Sequence, residues 1–301
     1  MAAFSFILLS QLFTLPSWAV EVYFAEQNTI SDQARNISNR LKSSTQNLLT
    51  NEIETISSKA ASDISGETNL IVAVGPEALL EIIAGKGTSP VVAVFVSKAS
   101  YEKLLLQNTR PITAVFSDPD PVKQVALTRL LYGQNSTSAI ISSPSIHTYI
   151  NDYSTAAKIF GINLIIVELN KISSSSDFIN STSQAQSIQL LKDYELFQQI
   201  PLEKVLLSSY DINRQGVIGY SQGLVRNGAA ATTFSSLADI ARSISKKVNL
   251  INNQRPLDKP NFTETFEVAV NKYILRSLDL INAEEGDIKL KIVELLEGLD
   301  Q

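Results

Sequence analysis

The chain has 301 residues, 44% hydrophobic and 18% charged, with a net charge of −5. This is ordinary globular composition, enough for one large domain or two medium ones with a real core. No basic stripe breaks the scatter of charges, which argues against nucleic acid and anionic lipid as partners. There is no cysteine and one histidine, His147. That inventory excludes disulfides, thiolate metal sites, a Cys nucleophile, a lipid-bearing Cys and a multi-histidine metal centre. No cofactor and no metal site are expected.

The chain opens with a mostly apolar run from Phe4 to Leu15, followed by Ser17-Trp18-Ala19. A short apolar stretch ending in small-x-small predicts a secretory signal cut after Ala19. It is short for a membrane span. Met1-Ala2-Ala3 lacks the basic residue with which such signals usually begin. On this reading the mature chain starts at Val20 and is exported to the periplasm without a lipid anchor.

From there, short β-branched runs alternate with longer amphipathic stretches. Residues 20–24 predict a strand, 29–49 a helix with Ile37, Leu41 and Leu48 near one face, and 52–56 a short second strand. Residues 70–74 predict a buried strand ending at Gly75. Pro76 opens a helix with Leu79, Leu80, Ile82 and Ile83, which Gly85 closes. A strand over 91–96, a short helix over 101–107 and a strand over 112–116 follow. After Ser117-Asp118-Pro119-Asp120-Pro121 comes a helix with Asp120 as N-cap and Pro121 in its first position, stopping at Gly133.

The pattern then restarts. Residues 138–141 predict a strand, Ser143-Pro144 a cap, and a helix runs to Phe160, where Gly161 ends it. Residues 162–168 predict a strand. The Ser-rich segment 171–186 reads as a loop with one helical turn at most. Then come a strand over 187–191, a helix over 196–211, and strands over 216–220 and 229–233. Ser236-x-x-Asp239 is a capping box for a helix to Val248. Residues 252–263, with Pro256 and Pro260, read as a linker, 266–270 as a strand, and the tail from Ile281 as an exposed helix.

Alternating β and α with uninterrupted apolar strands implies parallel sheets covered on both faces. About ten strands are too many for one (β/α)8 barrel and suit two lobes. The expected fold class is therefore α/β: two Rossmann-like lobes with parallel sheets, joined by a hinge. The expected division is 1–19 signal peptide, 20–118 plus about 236–262 lobe 1, 119–235 lobe 2, and 263–301 C-terminal strand and helical tail.

Ligands of open parallel sheets sit beyond the carboxyl ends of the strands. The residues there that suit a small polar ligand are Gly75, Pro76, Ser97 and Asp118 in the first half. In the second half they are Ser143, Asp193, Tyr220 and Ser221. Helix starts at Pro76 and Ser143 would offer N–H groups to a carboxylate or phosphate. Each residue taken singly reads better as a cap or turn; only the cluster points to a site. Asp118 and Asp120 could hold Mg²⁺ or act as acid and base, but Asp120 is a helix cap first. His147 reads as solvated.

Gly219-Tyr220-Ser221-Gln222-Gly223 matches the G-x-S-x-G nucleophile elbow and follows a strand. Those enzymes place their histidine after the serine, and the single histidine here precedes it. The turn reads instead as part of the cleft, with Tyr220 and Ser221 toward the ligand, and no catalytic residue is assigned.

Leu70-Ile71-Val72-Ala73-Val74-Gly75 with Ala78, the segment 90–95, and Phe116-Ser117-Asp118-x-Asp120-Pro121 form one group of ordered matches to a known family. Leu206-Leu207-x-x-Tyr210, Gly216-Val217-Ile218-Gly219-Tyr220-Ser221-x-x-Leu224-Val225, Gly228-Ala229 and Ser235-Ser236-x-x-Asp239-Ile240-Ala241 form a second. Phe266-x-Val268-x-Val270-Asn271 and Ser277-Leu278 close the series. Together they resemble the ABC-transporter substrate-binding family whose members include tryptophan- and tyrosine-type binding proteins. Asn227, Ala230 and Gln198 depart from its pattern.

The resemblance implies a type I periplasmic-binding fold that closes on a small solute and delivers it to an ABC permease in the inner membrane. It implies cleft contacts at Gly75, Asp118, Asp193, Tyr220 and Ser221. The expected function is capture of a small polar or aromatic metabolite, such as an amino acid, by a monomer without enzymatic activity. The alternatives are an orphan ligand-sensing module that signals to another membrane receptor, and a Ser221 hydrolase.

Overall fold

The structure is a computed structural model that describes residues 20–105, 110–280 and 284–299. The expected signal at 1–19, the end of the expected helix at 106–107 and the start of the tail at 281–283 lie outside them.

Lobe 1 begins with β1 (Glu21–Glu26), α1 (Asp32–Gln46), β2 (Ile53–Ser57) and α2 (Ser58–Ala61). It continues through β3 (Asn69–Val74), α3 (Pro76–Ile83), β4 (Val91–Val96), α4 (Lys98–Leu104) and β5 (Ile112–Phe116). Its sheet runs β2-β1-β3-β4-β5, parallel throughout. The apolar runs of β3 and β4 make the centre: Leu70, Ile71, Val72, Val91, Val92 and Val94 are all 0% exposed. Strands buried on both faces need helices on both faces.

Lobe 2 starts with α5 (Pro121–Tyr132), β6 (Thr137–Ser142), α6 (His147–Phe160), β7 (Asn163–Glu168), α7 (Ser175–Thr182) and β8 (Ser187–Gln189). It continues with α8 (Tyr194–Gln199), α9 (Leu202–Leu207), β9 (Gly216–Ile218), α10 (Gln222–Arg226) and β10 (Ala231–Phe234). The chain then crosses back. α11 (Leu237–Asn252) has its capping box formed and packs Ile240, Ile244 and Val248 into the lobe 1 core. The last crossing leads to β11 (Glu267–Val270), α12 (Lys272–Ser277) and α13 (Glu285–Glu297) in lobe 2. The second sheet runs β11-β10-β9-β8-β6-β7.

Three crossings join the lobes, and they are tied to one another. Asn261 pairs with β5, its carbonyl accepting the Phe116 N–H at 3.0 Å. Lys123 Nζ, from the first turn of α5, donates to Thr263 O at 2.5 Å and lies 3.1 Å from Asp120. The Ser235 and Thr263 hydroxyls are 2.6 Å apart.

Four expectations are corrected. Ser143 does not cap α6; a turn closed by the Ile146 N–H to Ser143 O bond intervenes, and the helix starts at His147. The Ser-rich segment carries a two-turn helix, α7, because Ser174 accepts the Asp177 N–H and Phe178 and Thr182 bury one face. The helix expected over 196–211 breaks at Pro201, which lacks an N–H, into α8, α9 and a π-turn over Ser208–Ile212. The tail is not an exposed helix. Ile288 and Ile292, one turn apart, are fully buried in the core formed with α5. The sheets are parallel as expected except for β11, which pairs antiparallel with β10.

Candidate functional site

A cleft of about 630 Å³ opens between the lobes. On the lobe 1 side it lies over the ends of β4 and β5. β4 carries an irregularity at Phe95, whose φ of 56° is left-handed. The strand is thereby turned just before Ser97, as bulges do beside sites. Ser97 Oγ accepts the Ser100 N–H at 3.0 Å and donates to Ser100 Oγ at 2.7 Å, which fixes the start of α4. Asp118 follows β5, and its Oδ2 accepts the Lys98 N–H at 2.7 Å. Burial pushes its pKa up to about 6, although that bond and the charge of Lys192 oppose the rise.

Lobe 2 supplies aromatic surface. Tyr149, on α6, is 4% exposed; its hydroxyl donates to Pro119 O at 2.7 Å, and its ring meets Tyr153 edge-on at 5.5 Å. Burial raises the Tyr149 pKa well above its usual value, so it stays a neutral donor. Tyr220 follows β9, half-buried, with its ring 6.2 Å from Phe197. Tyr194, at the start of α8, is 76% exposed. Pro144, Ser145, Ile146, Thr148, Leu191, Lys192 and Glu195 also line this side.

No family model and no curated protein matches the chain in sequence. Solved structures do. One is the ABC domain from Streptococcus pneumonia in complex with L-Trp, at 16% identity over 90% of this chain and 98% of that one, with a TM-score of 0.56. Another is a conserved domain protein from Vibrio cholerae, at 16% identity and the same coverages, with a TM-score of 0.55. A third is the ligand-free, open structure of a substrate binding protein with adhesive properties from Clostridium difficile. Its identity is 14% over 88% of this chain and 97% of that one, and its TM-score is 0.64.

The chain has the type I periplasmic-binding fold.

In this fold the site residues expected from sequence divide. Ser97, Asp118 and Tyr220 come together around the cleft. Gly75 and Pro76 do not line it: Gly75, at a φ of 91°, turns the chain into α3 after β3, one strand further from the crossing than β4. Ser143 is 1% exposed behind the wall that Pro144 and Ser145 form, its hydroxyl 2.9 Å from that of Ser145. Asp193 is also 1% exposed. Its Oδ1 caps α8 through the Glu195 and Leu196 N–H groups, its Oδ2 has no hydrogen-bond partner, and its neighbours Lys192 and Tyr194 face the cleft in its place. Ser221 caps α10 by accepting the Leu224 N–H at 3.2 Å and does not line the cleft.

Sequence reasoning missed Ser100, Thr148 and Tyr149, all of which line the cleft. Each lies in the first turn of the helix after a strand. Extending the strand-end search by one helical turn would have found them. His147 is exposed at the first position of α6, as expected. Among the described residues no cluster of three or more His, Asp or Glu could hold a metal ion. No described helix is long and apolar enough to cross a membrane.

Proposed function

We propose that this chain is an exported, monomeric solute-binding protein that closes on a small polar or aromatic metabolite, such as an amino acid, for an ABC permease. The observation that carries the reading is the cleft itself. It joins a half-buried carboxylate and fixed hydroxyls on one lobe to three tyrosines on the other. Its volume falls in the range of about 300–1,000 Å³ usual for small-ligand sites, and a few aimed polar groups in a largely apolar lining are their common pattern. Asp118, Ser97 and Tyr220 are the contacts on which the proposal rests. Micromolar affinity needs about 8 kcal/mol, within reach of a few directed hydrogen bonds and one aromatic stack.

The test is a thermal-shift screen of the chain from Val20 against amino acids, nucleosides, sugars and vitamins. One chemical class should raise Tm by several degrees, since a ligand at about 100 times its Kd stabilises by about 2.7 kcal/mol. Tyr220→Ala and Asp118→Asn should each remove that shift while remaining folded. A flat screen on a folded protein would overturn solute capture and favour a receptor-linked module.

A further inference from the structure

α4 belongs to lobe 1 and α6 to lobe 2, and the two helices pack against each other at the edge of the cleft. Lys98 Nζ pairs with the Asp152 carboxylate across that contact and lies 3.9 Å from Glu102 Oε1 on its own helix. Thr148 Oγ1 donates to Glu102 Oε2 at 2.9 Å, a second link from lobe to lobe. The Lys98 ammonium also stands 5.9 Å from the centre of the Tyr149 ring. The backbone of the same lysine holds Asp118, and Tyr149 holds Pro119 in the first crossing. The contact at the rim is therefore wired to the floor of the cleft and to the hinge.

We propose that Lys98 and Asp152, with Glu102 and Thr148, form a latch that holds the lobes together over the cleft before any solute arrives. The proposal deepens the solute-binding reading and rests on it, because it names what sets the closed population of that cleft. Parting the lobes pulls α4 from α6 and breaks both links. The latch therefore stabilises the closed state and not the open one, and such a difference is what shifts a two-state equilibrium. The Lys98 and Asp152 side chains are 21% and 35% exposed, so water screens the pair in part. A pair of this kind shifts a ratio about two- to fivefold. Being ionic, it weakens as salt rises.

The test reads the lobes directly and needs no ligand. The chain has no cysteine. Glu77→Cys on lobe 1 and Ser176→Cys on lobe 2, both exposed positions outside the latch, therefore give two unique sites for spin labels. Pulsed electron resonance then gives the distribution of interlobe distances. Lys98→Met and Asp152→Asn should each raise the ratio of long to short distances about threefold. Raising salt to about 0.5 M should do the same to the parent and little to Lys98→Met. Lys158→Met removes a charge from exposed α6 surface and should change nothing. Unchanged distributions in both latch variants overturn the proposal, as does an equal shift in Lys158→Met. Asp152→Asn keeps the side chain's shape, so the test survives if Lys98→Met fails to fold. A failed solute screen leaves this distance test standing, and a rigid cleft in the distance test leaves the solute screen standing.

Discussion

In lobe 1 the central strands bury Leu70, Ile71, Val72, Val92 and Val94 against the aliphatic faces of α1, α3 and α11. In lobe 2 the corresponding strands bury Ser138, Ser187, Gln189, Thr232 and Thr233 among their aliphatic residues. Those groups are joined to one another. The Ser187 hydroxyl donates to Ser138 at 2.9 Å, and Gln189 donates to Thr128 at 2.6 Å. Gln124 Nε2 donates to Gly219 O at 2.7 Å, and its Oε1 accepts the Thr233 N–H at 2.7 Å. Apolar burial alone fills the central strands of the first lobe, while directed bonds also join those of the second. The directed bonds also place the site, since Gly219 precedes Tyr220 and the Gln124 amide fixes where that strand ends.

Phe24 is 0% exposed in the cluster with Leu41, Leu70 and Ile244. Phe24→Ala should destabilise by about 3–5 kcal/mol, from lost transfer energy and the cavity left behind. Hydrogen exchange should lose protection in β1, β3 and β4 while β6 to β10 keep theirs. An equal loss in both lobes would show that they unfold as one unit and that their different interiors do not matter to cooperativity.

Gln124→Leu tests lobe 2 in the opposite sense, because it makes the interior more apolar at similar volume. It leaves the Thr233 N–H and hydroxyl without their acceptor, while Gly219 O keeps the Thr232 hydroxyl at 2.7 Å, and a buried group so orphaned costs about 1–3 kcal/mol. We expect a loss of about 2 kcal/mol by urea titration, with exchange rising in β9 and β10. A neutral or stabilising result would mean that the polar interior is tolerated rather than required.

The same contrast decided what could be read from the sequence. The strands of lobe 1 were legible to within two residues at their ends, because Leu70 to Val74 and Val91 to Val96 are unbroken apolar runs bounded by turn residues. Lobe 2 was less so. The strands expected over 187–191 and 216–220 stop at Gln189 and Ile218, and the one expected over 229–233 starts at Ala231. Short strands with buried Ser, Thr and Gln carry a weak period, and their extent is set by pairing that only the tertiary structure supplies. The site divides similarly. That Ser97, Asp118 and Tyr220 line the cleft was legible because strand ends are local features. Whether Ser143, Asp193 and Ser221 face the cleft or cap a turn depends on the orientation of the next helix, which the residue types alone do not fix.

Two carboxyls of the chain, Asp118 and Asp239, shift in opposite directions. Asp118 and Asp239 both begin at a usual value of 3.8. Asp118 has the Lys98 N–H and the more distant charge of Lys192 to offset its burial, and its pKa rises to about 6. Burial would raise Asp239 too, but Ser236, Thr265 and Arg242 all donate to it, and its pKa falls below the usual value. The signs of their effects on stability are opposite. The fold binds a proton at Asp118 more tightly than the unfolded chain does. Its contribution is fully present below about pH 3.8 and is lost as pH rises through about 6. Asp239 contributes above 3.8 and loses that contribution as pH falls through its lowered value. Between pH 4 and pH 7 Asp118 is therefore the residue to watch. Subtracting the Tm of Asp118→Asn from that of the parent should give a difference that grows in the parent's favour as pH is lowered from 7 to 4. A difference that stays flat would mean that water enters the cleft freely enough to solvate the carboxylate. The cleft floor would then be no drier than the surface, and Asp118 would meet a solute as an ordinary exposed acid.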